Sequence, residues 1–86
     1  MKIEDNRPIV LIVDDAPANL QMVHALLREE YQTRIATDGE KALAMAACDP
    51  LPHLILLDIL LPGMDGYGVC SQLKSEPRTR EIPVIF

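Results

Sequence analysis

Two short aliphatic runs, each stopped by a carboxylate, constrain the fold of this chain more than any other feature. The first is Ile9 to Val13 (IVLIV), followed at once by Asp14 and Asp15. The second is Leu54 to Leu57 (LILL), inside HLILLDILLPGMDG and followed by Asp58. Neither run alternates polar with apolar residues, and neither is long enough for a helix. Each therefore predicts a strand buried on both faces.

The segments between these runs have helical period. From Pro17 to Glu30, Leu20, Val23 and Leu27 fall on one face and Met22 and Leu26 widen it, with Pro17 suited to a first turn. Thr33 to Ala36 reads as an edge strand carrying Arg34. Asp38 offers an N-cap for the helix GEKALAMAAC, which Pro50-Leu51-Pro52 stops, and Asp65 offers a cap for a third helix in which Val69, Cys70 and Leu73 share a face. Pro77 ends that helix, and Ile82 to Phe86 (IPVIF) begins a last strand. The order β-α-β-α-β-α-β predicts an α/β fold with a doubly wound parallel sheet and helices on both faces.

At 86 residues the chain holds one small domain. Apolar residues make up 49% and charged residues 24%, which argues against disorder, and no apolar run approaches a membrane span. The leading MKIEDNRP carries no export pattern, so the cytoplasm is the expected location. Cys48 and Cys70 lack CxxC spacing and read as buried reduced thiols. With a net charge of -5 and scattered Lys and Arg, the segment lacks the basic footprint of direct nucleic-acid binding.

In open parallel sheets ligands bind beyond the carboxyl ends of the strands, where the strand order reverses. For the flavodoxin-like order 2-1-3-4-5 that point lies between the first and third strands. It is there that Asp14, Asp15 and Asp58 come together. Three carboxylates at close quarters share protons or recruit a cation, and an all-oxygen donor set suits Mg2+. A carboxylate beside such an ion can attack phosphorus and form an acyl phosphate. Asp58, alone at its strand end, is the candidate nucleophile. A helix N-terminal acidic pair would account for one of Asp14 and Asp15, but not for both or for Asp58.

LIVDDAPANL, ATDGEKAL and HLILLDILLPGMDG together resemble the receiver domain of bacterial two-component response regulators. The resemblance implies that Asp58 is phosphorylated by a sensor histidine kinase or a phosphotransfer protein, and that the signal passes to an output domain or effector. It implies Mg2+ as cofactor, ligated directly by Asp15 and through water by Asp14, with Asp58 and the backbone carbonyl of Leu60 completing the protein's share. Pro62 and Gly63 shape the following loop, while Met64, Asp65 and Gly66 start the third helix as structural and capping residues. Such a protein is a signalling phosphoacceptor that catalyses only its own phosphorylation and dephosphorylation.

The family's site also has a Ser or Thr after a fourth strand and a Lys after a fifth. The chain ends at Phe86, so the expectation is a partial receiver over residues 1–86, strand order 2-1-3-4, with the fifth strand and last helices absent. Metal binding is then expected to survive better than switching. Lys41 and Lys74 read as solvated charges away from the strand ends. The unpaired edge predicts self-association of the 86-residue chain, with domain swapping as one route.

Several residues have plain readings. His24 and His53 have no partner at ligand spacing and read as surface and boundary residues. Met22 and Met45 read as core, and Tyr67 as half-buried. Two rival functions stand beside the phosphoacceptor: a degenerate receiver serving only as an interaction or dimerisation module, and a Mg2+-dependent phosphohydrolase. The dehalogenase-like form of the latter needs an aspartate where this chain has Leu60.

Overall fold

A computed structural model describes residues 5–86; the first four residues of the leading segment scanned for an export pattern lie outside the described residues. The elements are β1 (Ile9–Val13), α1 (Pro17–Leu27), β2 (Gln32–Ala36), α2 (Gly39–Ala46), β3 (Leu54–Leu57), α3 (Gly66–Ser75) and β4 (Val84–Ile85). All strand pairs are parallel and the sheet order is β2-β1-β3-β4, as the alternation of short strands and helices predicts. No helix among the described residues is long and apolar enough to cross a membrane.

All five residues of β1 are buried, because helices cover both faces of a central strand. On one face Leu11 and Val13 join Ile55, Leu57, Val69 and Leu73 beneath α2 and α3. On the other, Val10 and Ile12 pack with Leu20 of α1, flanked by Val23, Leu27, Leu54 and Leu56. Leu11 and Ile55 are fully buried, so truncating either to alanine should cost about 2–5 kcal/mol.

The local signals at the helix starts hold. The Asp38 side chain accepts the Lys41 N–H at 2.8 Å, and Asp65 accepts that of Gly68 at 2.8 Å. Pro17 occupies the first turn of α1. Beyond α3, buried Thr79 donates its hydroxyl to the Leu73 carbonyl at 2.7 Å, satisfying an acceptor left over at the helix end.

Other expectations need correction. α1 stops at Leu27, whose carbonyl accepts from both Glu30 and Tyr31 in a tight turn, so the helix does not reach Glu30. Met22 and Leu26 are 59% and 77% exposed: α1 turns only the narrower Leu20–Val23–Leu27 stripe to the sheet, and Met22 is not core. Cys48 lies beyond the end of α2 and is exposed, while Cys70 is half-buried. β4 is only Val84–Ile85; Pro83 has no N–H to donate, although its carbonyl accepts from Ile55 at 3.0 Å. Tyr67 is 60% exposed and meets the Phe86 ring at a centroid distance of 5.2 Å.

Lys41 and Lys74 are both exposed, as expected of solvated charges, but their placement differs from expectation. Lys74, though exposed, also donates to the carbonyls of Arg80 at 3.1 Å and Ile82 at 2.7 Å, clamping the α3–β4 connection. Lys41 lies in the first turn of α2, which starts just past the carboxyl end of β2, so it is not remote from the strand ends. It approaches Asp38 at 4.0 Å.

Candidate phosphoacceptor and metal site

The parallel register brings the aspartates together. Val13, the last residue of β1, pairs with Ala36 of β2 on one side and Leu57 of β3 on the other. The residues that follow, Asp14 and Asp58, therefore leave the sheet side by side. Two ladder bonds extend past the strand ends: Asp58 N–H donates to Val13 O at 2.9 Å, and Asp14 N–H to Ala36 O at 3.1 Å. One carboxylate oxygen from each of Asp14, Asp15 and Asp58 lies within 4.8 Å of the others.

Their surroundings separate them. Asp14 is half-buried and engaged, accepting the Ala16 N–H at 2.9 Å through Oδ1 and the Asn19 amide at 3.2 Å through Oδ2. Asp58, also half-buried, accepts the Leu60 N–H at 3.2 Å. Asp15 is exposed, and among the described residues nothing donates to its carboxylate. Leu60 is 79% exposed, and its backbone N–H is the group that meets Asp58.

Three carboxylates at this spacing repel one another, each pair by between ~1 and ~4 kcal/mol depending on how freely water reaches them. A bound cation would relieve that repulsion. The donors are all oxygen, as a hard ion prefers, and three carboxylate oxygens within 4.8 Å of one another would fill at most half of a six-coordinate shell, leaving its other positions to water or a phosphoryl oxygen. The donor set fits magnesium.

Asp14 and Asp58 also stand at one end of a groove of about 300 Å³, walled by Val23, Leu56, Ile85 and Phe86. A larger hollow of about 630 Å³ lies between Asp38 and Met64, but it includes none of the three carboxylates. His24 and His53 are elsewhere. His24 Nδ1 meets the Thr33 hydroxyl at 2.5 Å, and His53 Nδ1 accepts the Ile9 N–H at 3.0 Å.

Asn19 is a site residue that sequence reasoning missed. The signal was present: a polar amide one turn into the helix after an acidic strand end, on a segment otherwise read only for its apolar face.

A doubly wound parallel sheet with a carboxylate triad across β1 and β3 defines a class of phosphate- and metal-handling α/β domains. The model of the response regulator receiver domain matches residues 10–86, and the chain belongs to that family, the signalling module of two-component systems. It is 53% identical over 78 residues to the response regulator PleD of Caulobacter vibrioides, covering 90% of this chain and 17% of PleD. It is 42% identical to a probable cyclic di-GMP phosphodiesterase of Vibrio cholerae, covering 100% of this chain and 20% of that protein. Among solved structures it resembles the receiver domain of sensor histidine kinase PA1611 from Pseudomonas aeruginosa PAO1. The TM-score is 0.84 at 29% identity, over 91% of this chain and 64% of that one, and that protein has a magnesium ion coordinated in its active site cleft. The chain thus spans a fifth or less of the length of these two curated relatives.

Proposed function

We propose that the protein is a phosphoacceptor: Asp58 receives a phosphoryl group from a sensor histidine kinase or phosphotransfer protein and relays the signal to an output domain or effector. The observation that carries this reading is the convergence of Asp14, Asp15 and Asp58 within 4.8 Å at adjacent strand ends. In the transfer, a carboxylate oxygen of Asp58 attacks phosphorus as the P–N bond of a donor phosphohistidine breaks, and the departing imidazole nitrogen keeps the electron pair and takes a proton. Magnesium, when bound, supplies neutralisation of charge on the phosphoryl oxygens.

The chain's own residues divide the remaining work. Asp15, to whose carboxylate nothing donates among the described residues, is the direct metal ligand. Asp14, already engaged by Asn19 and Ala16, acts through the ion's waters. Leu60 contributes its backbone carbonyl. The magnesium in the receiver of PA1611 supports the same ion here. A kinase partner is supported by the same relative, a sensor histidine kinase whose receiver this chain resembles.

The chain behaves as one partial receiver domain over residues 1–86, and the domain is a signalling phosphoacceptor in the cytoplasm rather than an enzyme with turnover on other substrates. Among the described residues nothing pairs with the outer side of β4, and the 86-residue chain self-associates through it. Incubation with Mg2+ and acetyl phosphate tests the central assignment. One phosphoryl group should appear on Asp58 and be lost in Asp58→Asn; labelling that survives this substitution overturns it.

A further inference from the structure

The turn that carries Asp58 is gripped from two sides. On the sheet side, Asp58 N–H donates to Val13 O at 2.9 Å. On the helix side, Gly66 at the start of α3 donates its N–H to Ile59 O at 2.7 Å and presses against the same backbone. A Cβ built on Gly66 would lie 2.4 Å from the Asp58 carbonyl oxygen, 2.7 Å from Ile59 Cα and 3.1 Å from the Asp58 carbonyl carbon. That is roughly 1 Å inside ordinary contact, against main chain rather than the free end of a flexible side chain.

The other glycines differ in kind. Gly63 is required for its φ of +78° and has nothing within 4 Å of a built Cβ. Gly68 would meet the flexible end of Met64 at 3.1 Å, and Gly39 would first meet the Val69 side chain at 2.9 Å. Only at Gly66 does the missing side chain make room, within 3 Å, for backbone, and that backbone belongs to Asp58 and the residue after it.

We propose that Gly66 is a positioning residue for Asp58, one that sets the carboxylate against Asp14 and Asp15 by allowing α3 to abut the Asp58 carbonyl; this rests on Asp58 being the phosphoacceptor. With a side chain at 66, α3 and the turn must separate. Because the Asp58 N–H is held by Val13, the displacement falls on the Asp58 carbonyl and on the turn through Leu60. A misplacement of about 1 Å at a reacting group costs on the order of 100-fold in rate.

The test compares Gly66→Ala with Gly68→Ala, the same chemical change two residues along the same helix. Three readouts are needed: labelling by acetyl phosphate with Mg2+ per folded molecule, circular dichroism, and the amide resonances of Asp58 to Leu60. Gly66→Ala should keep the folded spectrum, shift those resonances and slow labelling by about 10- to 100-fold. Gly68→Ala should also keep the folded spectrum but leave those resonances and the labelling rate unchanged. Labelling of Gly66→Ala at the Gly68→Ala rate overturns the proposal.

If the unsubstituted protein itself takes no label at Asp58, the phosphoacceptor reading fails. The resonances then decide Gly66 alone, and unmoved Asp58 to Leu60 signals overturn it. If Gly66→Ala does not fold, the readout is amide exchange at Gly66 in the unsubstituted protein. Binding of Mg2+ at a site that Gly66 positions must tighten the Gly66–Ile59 hydrogen bond in return, so exchange should slow; exchange unchanged at saturating Mg2+ overturns the proposal.

Discussion

Asp58 hangs from Val13: its N–H donates to the Val13 carbonyl at 2.9 Å, one rung beyond the last paired residues of β1 and β3. That bond fixes where the β3 carboxylate begins relative to the acidic pair that follows Val13. The site is thus an extension of the parallel ladder, and its geometry inherits the register of the two most buried strands.

Asp15 and Asp14 should respond differently to loss of charge. Asp15→Asn removes the carboxylate without competing donors and should weaken Mg2+ affinity at least about tenfold; Asn19→Ala, which only frees Asp14, should weaken it less. Isothermal titration reads both. Unchanged affinity in Asp15→Asn would remove it from the ligand set.

Leu60 should tolerate truncation. Its side chain is 79% exposed, and only its main chain is assigned a role, so Leu60→Ala should bind Mg2+ as the unsubstituted protein does. A large loss of affinity would show that the side chain matters.

The α2 cap should contribute to stability and not to the site. Asp38→Ala leaves the Lys41 N–H without its acceptor and should cost about 1 kcal/mol, lowering Tm by roughly 4–8 °C, with Mg2+ affinity unchanged. A thermal melt beside the titration separates the two effects.

Self-association should depend on the last strand. Ile85 and Phe86 are 53% and 54% exposed, and beyond β4 no strand is paired among the described residues. The 86-residue chain should therefore associate at micromolar concentration in light scattering, and Ile85→Lys should return it to a monomer. A monodisperse monomer of the unsubstituted chain would contradict this.

Near the start of the described residues, the Arg7 side chain donates to Asp5 and holds its carboxyl down at about 2, from 3.8. A fully exposed pair two residues apart is screened by solvent and adds little to the fold, and its carboxylate takes up a proton only as pH falls towards about 2. The pair therefore adds no pH dependence near neutrality. An Asp5 carboxyl titration by NMR should have its midpoint near 2 and return towards 3.8 in Arg7→Ala.

Features set by near neighbours were legible in the sequence, and features set by distant partners were not. IVLIV and LILL read as buried strands because their own composition leaves no alternative, and the sheet order then placed Asp14, Asp15 and Asp58 together. Asp38 and Asp65 read as caps because a cap reaches only three residues. Met22 and Leu26 misled because helical period says which residues share a face but not how much of that face a neighbour covers. Lys74 misled because its partners, the Arg80 and Ile82 carbonyls, belong to a connection whose path the chain does not announce. Gly66 read as a helix-start residue, and its closeness to the Asp58 carbonyl exists only once α3 has docked.

The most direct test is the site of phosphorylation. After incubation with Mg2+ and acetyl phosphate, mass spectrometry of the intact protein and its peptides should find a single phosphoryl group on Asp58, labile to alkali and hydroxylamine as an acyl phosphate is, absent from Asp58→Asn and dependent on Mg2+. A phosphoryl group that persists in Asp58→Asn, or that forms equally well without Mg2+, would contradict the assignment of Asp58 and its carboxylate neighbours.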